Sequence, residues 1–435
     1  MKKTIGLLLL LSSSVFAREL TLDQAIQMAL DNSKEMQISQ RDVESAKLNV
    51  GIAFKNALPS VVYRGSYTRS EYERKITREE RPSHRLDQSD QDDKYVNAKG
   101  SYSQKITISQ PLFQGGAILG GIQYAKAYKS VADLMYLGEK RDVRLDTIKI
   151  YSDIVKTEKD LGALLSSKDE LKASYDKQKA QLDLRLITKA DLLKTEYSML
   201  EVDSQIIGAQ NRIAVQKENL KLKIGIPKTE ELTVVEFDVP MYLSRNIDFK
   251  ADMVQAQTES IDALIANNYV NMADASRKVA RADMLPQVSA FASYGIESER
   301  RKYNATMDDA EWRGGVQVTW NVFEFGKNYD NYRIARIAKE QEELKEKISK
   351  DNIDVNVTDA YLELIRMEKT RDSKARALEA ALENYKMDKE KYVAGLISTI
   401  DFLASETQLR EAKVGYNQVV IDYLYAFEKY RSMLI

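Results

Sequence analysis

Two short segments of this 435-residue chain carry hydroxyl and carboxylate side chains at a spacing that could do chemistry. Thr188 precedes Asp191 by three residues, and Ser398 precedes Asp401 in the same way. A hydroxyl three residues before an acidic residue is typical of a capping box at a helix N-terminus. Carboxylates repeated around a ring could also line a pore and select ions. The sequence leaves both interpretations open.

The residue types that most catalytic sites need are scarce. The chain has no cysteine and one histidine, His84, in a charged segment that we interpret as a solvent loop. Thiolate catalysis, disulfides and Cys-bound metals are excluded, and one histidine does not suffice for a His-rich metal site. Charged residues make up 30% of the chain but the net charge is only −1, which gives no reason to expect nucleic acid. We therefore expect no enzyme, no cofactor and no metal.

The first 17 residues resemble a secretory signal peptide. Lys2 and Lys3 form a basic start, residues 5–11 are apolar, and Ala17 ends a small-residue cleavage site. The alternative is an N-terminal membrane anchor, for which the apolar run is too short. We expect an exported protein.

The chain contains a tandem duplication. The segment that begins at Leu186 recurs at Leu396, and the same offset places Phe113 on Phe323. Each copy combines segments of period two with long segments of heptad spacing. We divide the chain into a signal peptide (1–17), a first repeat (18–225), a linker with a small patch packed outside the helical wall (226–246), and a second repeat (247–435).

Segments of period two predict two strands in each repeat. Each has about ten residues, mostly apolar on one face and polar on the other, which is the length that a transmembrane strand needs. Continuous helices are expected before them, over about 20–57 and 248–283, and a charged loop between the first two strands. The predicted strands are at about 60–71, 98–110, 287–298 and 313–322.

Heptad spacing predicts a very long helical hairpin in each repeat, at 117–225 and 327–435. Apolar seams run from Val143 to Leu182 and from Ile353 to Tyr392, and the return helices repeat the pattern. Three charged residues interrupt the second seam: Arg371, Lys374 and Asp388. A sustained 3.5-residue period requires partner helices and a supercoil.

Four amphipathic strands per chain cannot close a barrel, and unpaired strand edges are too costly in lipid. Copies of the chain must therefore pool their strands. An eight-stranded barrel is filled by its own side chains, so a water-filled lumen needs at least twelve strands, and hence at least three copies. The predicted fold class is a membrane α+β protein: a duplicated strand pair plus helical hairpin, forming a trimeric twelve-stranded barrel continued by a periplasmic helical barrel.

The chain resembles the TolC-like family of outer-membrane efflux proteins. The resemblance rests on the order of four motifs within the duplicated frame. It implies a homotrimer in outer-membrane lipid, a helical barrel in the periplasm, and docking to a periplasmic adaptor and an inner-membrane pump of an efflux or type I secretion system. The motifs are Leu20-Thr21-Leu22-Asp23-Gln24-Ala25, the Leu-Pro pairs at 58–59 and 285–286, Gln110-Pro111-Leu112-Phe113 with Gly115-Gly116, and Val393-Ala394-Gly395-Leu396-Ile397-Ser398.

The same resemblance assigns roles to the two hairpin turns. Asp191, Asp401 and Tyr392 become candidates for a periplasmic gate, although Tyr392 also fits core packing on its heptad seam. Gly395 fits a helix C-cap as well as an adaptor contact, and Arg185 stands where the first turn would have its glycine. The adaptor-contact candidates are Leu186, Ile187, Thr188, Gly395, Leu396, Ile397 and Ser398.

The rival hypothesis is a periplasmic or surface coiled-coil structural protein without a pore. It explains the heptads but not four alternating strands of lipid-spanning length.

Overall fold

The computed structural model describes residues 18–68, 73–75, 95–97, 101–298 and 310–435. The predicted signal peptide and His84 lie outside the described residues. The elements are, in chain order, β1 (Arg18–Leu20), α1 (Leu22–Asn32), α2 (Lys34–Lys55), β2 (Ser60–Thr68), β3 (Glu73–Lys75), β4 (Tyr95–Asn97), β5 (Ser101–Gln114), α3 (Ala117–Asp183), α4 (Lys189–Ile224), β6 (Leu232–Val234), α5 (Phe249–Glu259), α6 (Ile261–Ala282), β7 (Gln287–Ser298), β8 (Glu311–Thr319), α7 (Lys327–Val393) and α8 (Thr399–Ser432).

The compact units of the structure cut across the two sequence repeats. Of the described residues, one unit contains those within 18–44, 130–267 and 345–435, and the other contains those within 45–129 and 268–344. Each unit therefore combines equivalent segments from both repeats. Helical hairpin segments dominate the first unit, which also contains β1 and β6, and the other described strands belong to the second unit.

The helix that precedes each strand pair is broken, which corrects the prediction of continuous helices. Ser33 separates α1 from α2, and Ser260 separates α5 from α6. Both serines have extended backbone, with φ of −63°. Their hydroxyls accept from the backbone N–H of Met36 and Ala263, each at 3.3 Å. Because serine caps a new helix in this way, one side chain sets the break in both repeats.

The heptad seams are largely confirmed. Most predicted seam positions are buried in apolar clusters between the helices of the first unit. Arg371, one of the charged residues that interrupt the second apolar seam, is nevertheless buried, with only 4% of its side chain exposed. Its guanidinium lies 4.6 Å from the ring of Tyr423 and 5.3 Å from that of Tyr242, so aromatic faces compensate for the burial of the charge.

The linker packs against helices of the first unit through a small parallel sheet. The sequence predicted a small packed patch here, but it did not predict the pairing with β1. β6 pairs with β1, with Leu20 opposite Val234. The Tyr151 hydroxyl lies 2.7 Å from the carbonyls of Leu20 and Val235 and accepts from the Val235 N–H at 2.9 Å. Closer to the C-terminal end of the linker, the Tyr423 hydroxyl accepts a hydrogen bond from the Leu243 N–H at 2.6 Å.

The second unit contains a four-stranded antiparallel sheet in the order β2-β5-β7-β8. Its strands differ from the predicted bounds. β5 runs to Gln114, past a register shift between Pro111 and Phe113, and β8 begins at Glu311 and ends at Thr319. Within the predicted loop, β3 pairs with β4. In the described sheet, β2 and β8 each have a hydrogen-bonded neighbour on one side only.

The two faces of this sheet differ as the alternation predicted. One row of directly paired residues is Tyr63, Ile106, Tyr294 and Trp312, all of them exposed. The opposite face carries serines, threonines and charged residues. No helix within the described ranges is both long and apolar enough to cross a membrane.

Candidate gate and docking surfaces at the hairpin turns

Both turns end their first helix in a Schellman motif. The N–H of Leu186 donates to the carbonyl of Gln181 at 2.9 Å, and the N–H of Leu396 donates to that of Lys391 at 2.8 Å. These bonds satisfy carbonyls that the end of a helix otherwise leaves free. The duplication thus repeats the turn at the level of individual hydrogen bonds.

The residue that reverses the chain is in the left-handed region in both turns. Gly395 has a φ of 73°, which glycine adopts without cost. Arg185 has a φ of 60° at the equivalent position. The arginine therefore keeps the shape of the turn, at a conformational cost that glycine does not have.

Both predicted capping boxes are present. The Thr188 hydroxyl donates to Asp191 Oδ2 at 2.7 Å and accepts from the Asp191 N–H at 3.3 Å. The Ser398 hydroxyl donates to Asp401 Oδ2 at 2.7 Å and accepts from the Asp401 N–H at 3.2 Å. Each carboxylate also accepts from the backbone N–H of its N-cap residue. The capping interpretation thus has a complete set of hydrogen bonds in each turn.

Asp191 also keeps a charged, accessible carboxylate. The hydrogen bond from the Thr188 hydroxyl, with help from the ammonium of Lys194 at 3.5 Å, lowers its pKa below the ordinary value. Asp401 is exposed. A capping carboxylate at a helix start can still present charge to water, so the two roles are compatible.

Tyr392 is half-buried and packs on its heptad seam. Its ring stacks on Phe402, with centroids 4.5 Å apart and 8° between the planes. Its hydroxyl accepts from Nε2 of Gln178 at 2.6 Å. Gln178 belongs to the first hairpin and is fully buried. Tyr392 therefore joins the two hairpins close to their turns.

Further polar contacts join the two hairpins at positions farther from the turns than Tyr392. Tyr385 and Lys389 both donate to the carboxylate of Glu170, Lys389 at 2.7 Å. Burial and the Glu170 carboxylate raise the pKa of Tyr385, so it is a donor at any physiological pH. Glu406 accepts from Ser167 and pairs with Arg410 at 3.1 Å.

Beyond the buried Glu406–Arg410 pair, an amide–carboxylate contact also joins the two hairpins. Asn417 donates to Asp160 at 2.8 Å. Sequence reasoning missed these residues, because charged side chains on a heptad helix are normally solvated. The only sequence signal for these contacts between the hairpins was the presence of acidic and basic residues close to seam positions.

The adaptor-contact candidates divide by exposure. Leu186 and Leu396 are 69% and 75% exposed, which is unusual for leucine. Ile187 is half-buried, and Ile397 packs against the cluster around Phe402. The first turn therefore presents two exposed leucines, Leu184 and Leu186, and the second turn presents Leu396, each beside an isoleucine that is less exposed.

A groove between α4 and α8, next to the turns, was not predicted. It has a volume of about 770 Å³ and is lined mainly by apolar side chains, including Leu193, Tyr197 and Ile400. Tyr197 is 70% exposed. Leu193, Tyr197 and Leu200 form a second stripe at heptad spacing on α4, and this spacing was the available signal.

A comparison with protein-family models matches the outer membrane efflux protein family over residues 25–225 and 253–433. The chain belongs to this family. As an outer membrane efflux protein it is a channel component located in the outer membrane, with its helical part in the periplasm. A structural coiled-coil protein without a pore is not favoured. In the described part of the chain, no group of His, Asp and Glu residues could hold a metal ion.

Solved structures of outer-membrane channels have the same fold as this efflux protein. The CmeC channel of Campylobacter jejuni is 17% identical, with 95% of this chain and 85% of that chain covered and a TM-score of 0.75. VceC of Vibrio cholerae is 13% identical, with 95% of each chain covered and a TM-score of 0.73. MtrE of Neisseria gonorrhoeae, in an open state, is 14% identical, with 95% and 88% covered and a TM-score of 0.71. A comparison with curated protein sequences gave no significant match.

Proposed function

We propose that three copies of this chain pool their strands into one twelve-stranded barrel and act as the passive exit duct of a tripartite efflux or type I secretion system. The observation that carries the proposal is the four-stranded sheet with β2 and β8 at its edges. These edge strands have nine residues each, and every residue in them is exposed. Such strands are complete only when another copy pairs with them.

The physical argument is the cost of an unpaired edge. Backbone N–H and C=O groups in a bilayer each cost several kcal/mol when they lack a partner. Two copies would give eight strands, which fill their own interior, whereas three give twelve and a lumen. The polar face of each sheet then faces water, and the face with Tyr63 and Trp312 faces lipid.

We place the contact with the periplasmic adaptor at the α4–α8 groove and the adjoining turns. An amphipathic helix binds in a groove through apolar side chains at heptad spacing. The groove offers Leu193, Tyr197 and Ile400 for this purpose, and Leu186 and Leu396 extend the apolar surface to the turns. In this proposal the inner-membrane pump supplies energy and substrate selection.

A photo-reactive residue in place of Tyr197 would test this docking surface in cells. We expect an adduct with a periplasmic adaptor, and none when the same residue replaces Leu222, which is an exposed leucine farther along α4. An adduct only with a second copy of this chain would assign the groove to the trimer and contradict adaptor docking.

The gate lies at the turn end of the two hairpins in this proposal. Opening requires the hairpins to separate, and the Tyr392–Gln178 and Glu170–Tyr385 contacts oppose that separation. Asp191 and Asp401 would present carboxylates at the same end. An iris-like movement of the hairpins would break these contacts and the other polar contacts between the hairpins, and would leave the seams within each hairpin intact.

Cysteine cross-linking tests the trimer, since the natural chain has no cysteine. Val62→Cys in β2 and Gln317→Cys in β8 place one thiol on each edge strand, both on the polar face. A flexible bis-maleimide added to outer membranes should give a ladder that stops at three chains. The single-cysteine variants are the matched controls and should give no ladder.

The pooled barrel would be refuted if the double-cysteine variant stayed monomeric after cross-linking and if salt extracted the protein from membranes. A ladder that runs beyond three chains would replace the trimer by a larger ring.

A further inference from the structure

We propose that Arg64, Lys105 and Arg313 form a cationic track on the lumen wall and give the membrane-spanning part of the pore a preference for anions. This inference rests on the proposed trimeric barrel, because it needs the polar sheet face to line a lumen. It assigns an anion preference to three residues of the sheet, separate from the cation preference that the carboxylates at the hairpin turns would give.

Arg64 and Lys105 are directly opposite each other. Arg64 of β2 pairs in register with Lys105 of β5, so the two side chains project from the same face of the sheet. Both are exposed. Like charges at directly opposite positions destabilise an antiparallel pair. Two cations at these positions therefore cost stability, which a role in attracting anions would explain.

The next strand leaves space beside this pair. Gly295 of β7 lies opposite Lys105, and a Cβ atom there would lie 2.2 Å from the Gln104 carbonyl oxygen. Only glycine fits so close an approach, so no side chain covers Lys105 on that side. The result is a recess of about 200 Å³ in the polar face, lined in part by Lys105, Ser293 and Arg313.

Arg313 adds a third cation across the recess. Its Nη2 atom lies 3.2 Å from Glu311 Oε2, and both side chains are mostly exposed. A salt bridge in this setting is weak and leaves the guanidinium open to other anions. Arg313 occupies the register position opposite Ser293, on the same face as Lys105.

The charge balance of the polar face is positive. Among the residues of β2, β5, β7 and β8 whose side chains the structure describes, the charged residues at register positions on this face are three cations and one carboxylate, Glu311. A threefold barrel repeats this excess around one lumen. Low-dielectric walls concentrate such a field, and rings of basic side chains select anions in pores.

The opposite face of the sheet has a different composition. Apart from Gln104, its exposed members are apolar or aromatic or are glycines, among them Tyr63, Ile106, Val316 and Val318. The three cations therefore lie where water is expected and not where lipid is expected. This segregation is what a selectivity element requires.

Reversal potentials of the purified full-length protein in planar bilayers, under a KCl gradient, test the proposal. Arg64→Gln with Lys105→Gln should lower the chloride-to-potassium permeability ratio by about twofold or more, and Arg64→Glu with Lys105→Glu should lower it further. Arg41→Gln is the matched control, because Arg41 is a highly exposed arginine of α2 that pairs with Glu44. It should leave the ratio unchanged.

Equal permeability ratios in the natural protein and in both double variants, with pores of normal conductance, would overturn the cationic track while leaving the duct intact. Absence of any pore in the natural protein would refute the duct and the track together. The single variant Lys105→Thr provides a second measurement: removal of the like-charge pair should leave the thermal stability of the trimer unchanged or higher. A clear loss of stability would mean that Lys105 has a structural role instead.

Discussion

Arg185 holds in the first hairpin the left-handed backbone position that Gly395 holds in the second, with φ of 60° against 73°. The neighbouring hydrogen bonds are the same in both turns, so the turn geometry is set by the fold and not by the residue. A non-glycine residue in this region costs about 1–2 kcal/mol. The first turn thus stores a strain that the second does not.

Reciprocal substitution should reveal this difference. Arg185→Gly should raise the stability of the protein by about 1 kcal/mol per copy, because the strain is removed. Gly395→Arg should lower it by a similar amount. Thermal unfolding followed by circular dichroism in detergent measures both. A loss of stability in Arg185→Gly would show that the arginine side chain makes a contact worth more than the strain.

The two roles of the turn carboxylates can be separated by substitution. Thr188→Ala with Ser398→Ala removes the caps and keeps both charges, at a cost of about 1 kcal/mol for each cap. Asp191→Asn with Asp401→Asn removes the charges and keeps an acceptor at each helix start. We expect the first pair to lower stability with little effect on ion preference, and the second to shift ion preference away from cations.

Bilayer conductance and thermal unfolding of both double variants provide the measurements. If neither pair changes the ion preference, capping is the whole role of these carboxylates, and the gate must be placed elsewhere.

The Asp191 carboxylate should make the first turn sensitive to acid. Its pKa is lowered in the folded protein, chiefly by the Thr188 hydroxyl. The stabilisation is therefore present above the unfolded pKa of about 3.9 and is lost as the pH falls through the lower folded value. The stability difference between the natural protein and Thr188→Val should shrink below about pH 4. A difference that stays constant from pH 7 to pH 3 would contradict this assignment.

Tyr392→Phe should loosen the gate without disturbing the core. The ring keeps its stacking on Phe402, but Gln178 loses the acceptor for its buried Nε2 group, at a cost of about 1–3 kcal/mol. We expect a higher open probability in bilayers. Tyr329→Phe, at an exposed tyrosine of α7, is the control and should behave as the natural protein does. If the open probability of Tyr392→Phe were unchanged, Tyr392 would contribute to packing and not to gating.

Glycines at the two strand exits should respond differently to alanine. Both have positive φ, 60° for Gly115 and 87° for Gly326. A Cβ at Gly115 would lie 2.5 Å from the Ala282 carbonyl oxygen, whereas nothing lies within 4 Å of one at Gly326. Gly326→Ala should cost about 1 kcal/mol, and Gly115→Ala clearly more. Yields of folded trimer from outer membranes measure the difference, and equal yields would argue against the close approach.

The predicted arrangement of elements came from periodicity. Alternation every second residue located the four strands, heptads located the hairpins, and the repeat of the turn at Leu186 and Leu396 located their ends. These signals are local, because the side chains that carry them lie within a few residues of one another. The capping boxes at Thr188 and Ser398 could be predicted for the same reason, since their hydrogen bonds close within a single turn of chain.

Other features required the tertiary structure. The burial of Arg371 depends on the rings of Tyr242 and Tyr423, and the Tyr392–Gln178 bond joins residues that are far apart in sequence. The pairing of Arg64 with Lys105 depends on strand register. Local spacing determined what each segment became, but contacts between distant segments determined which charges are buried, paired or free, because electrostatic energy depends on distance in space and not along the chain.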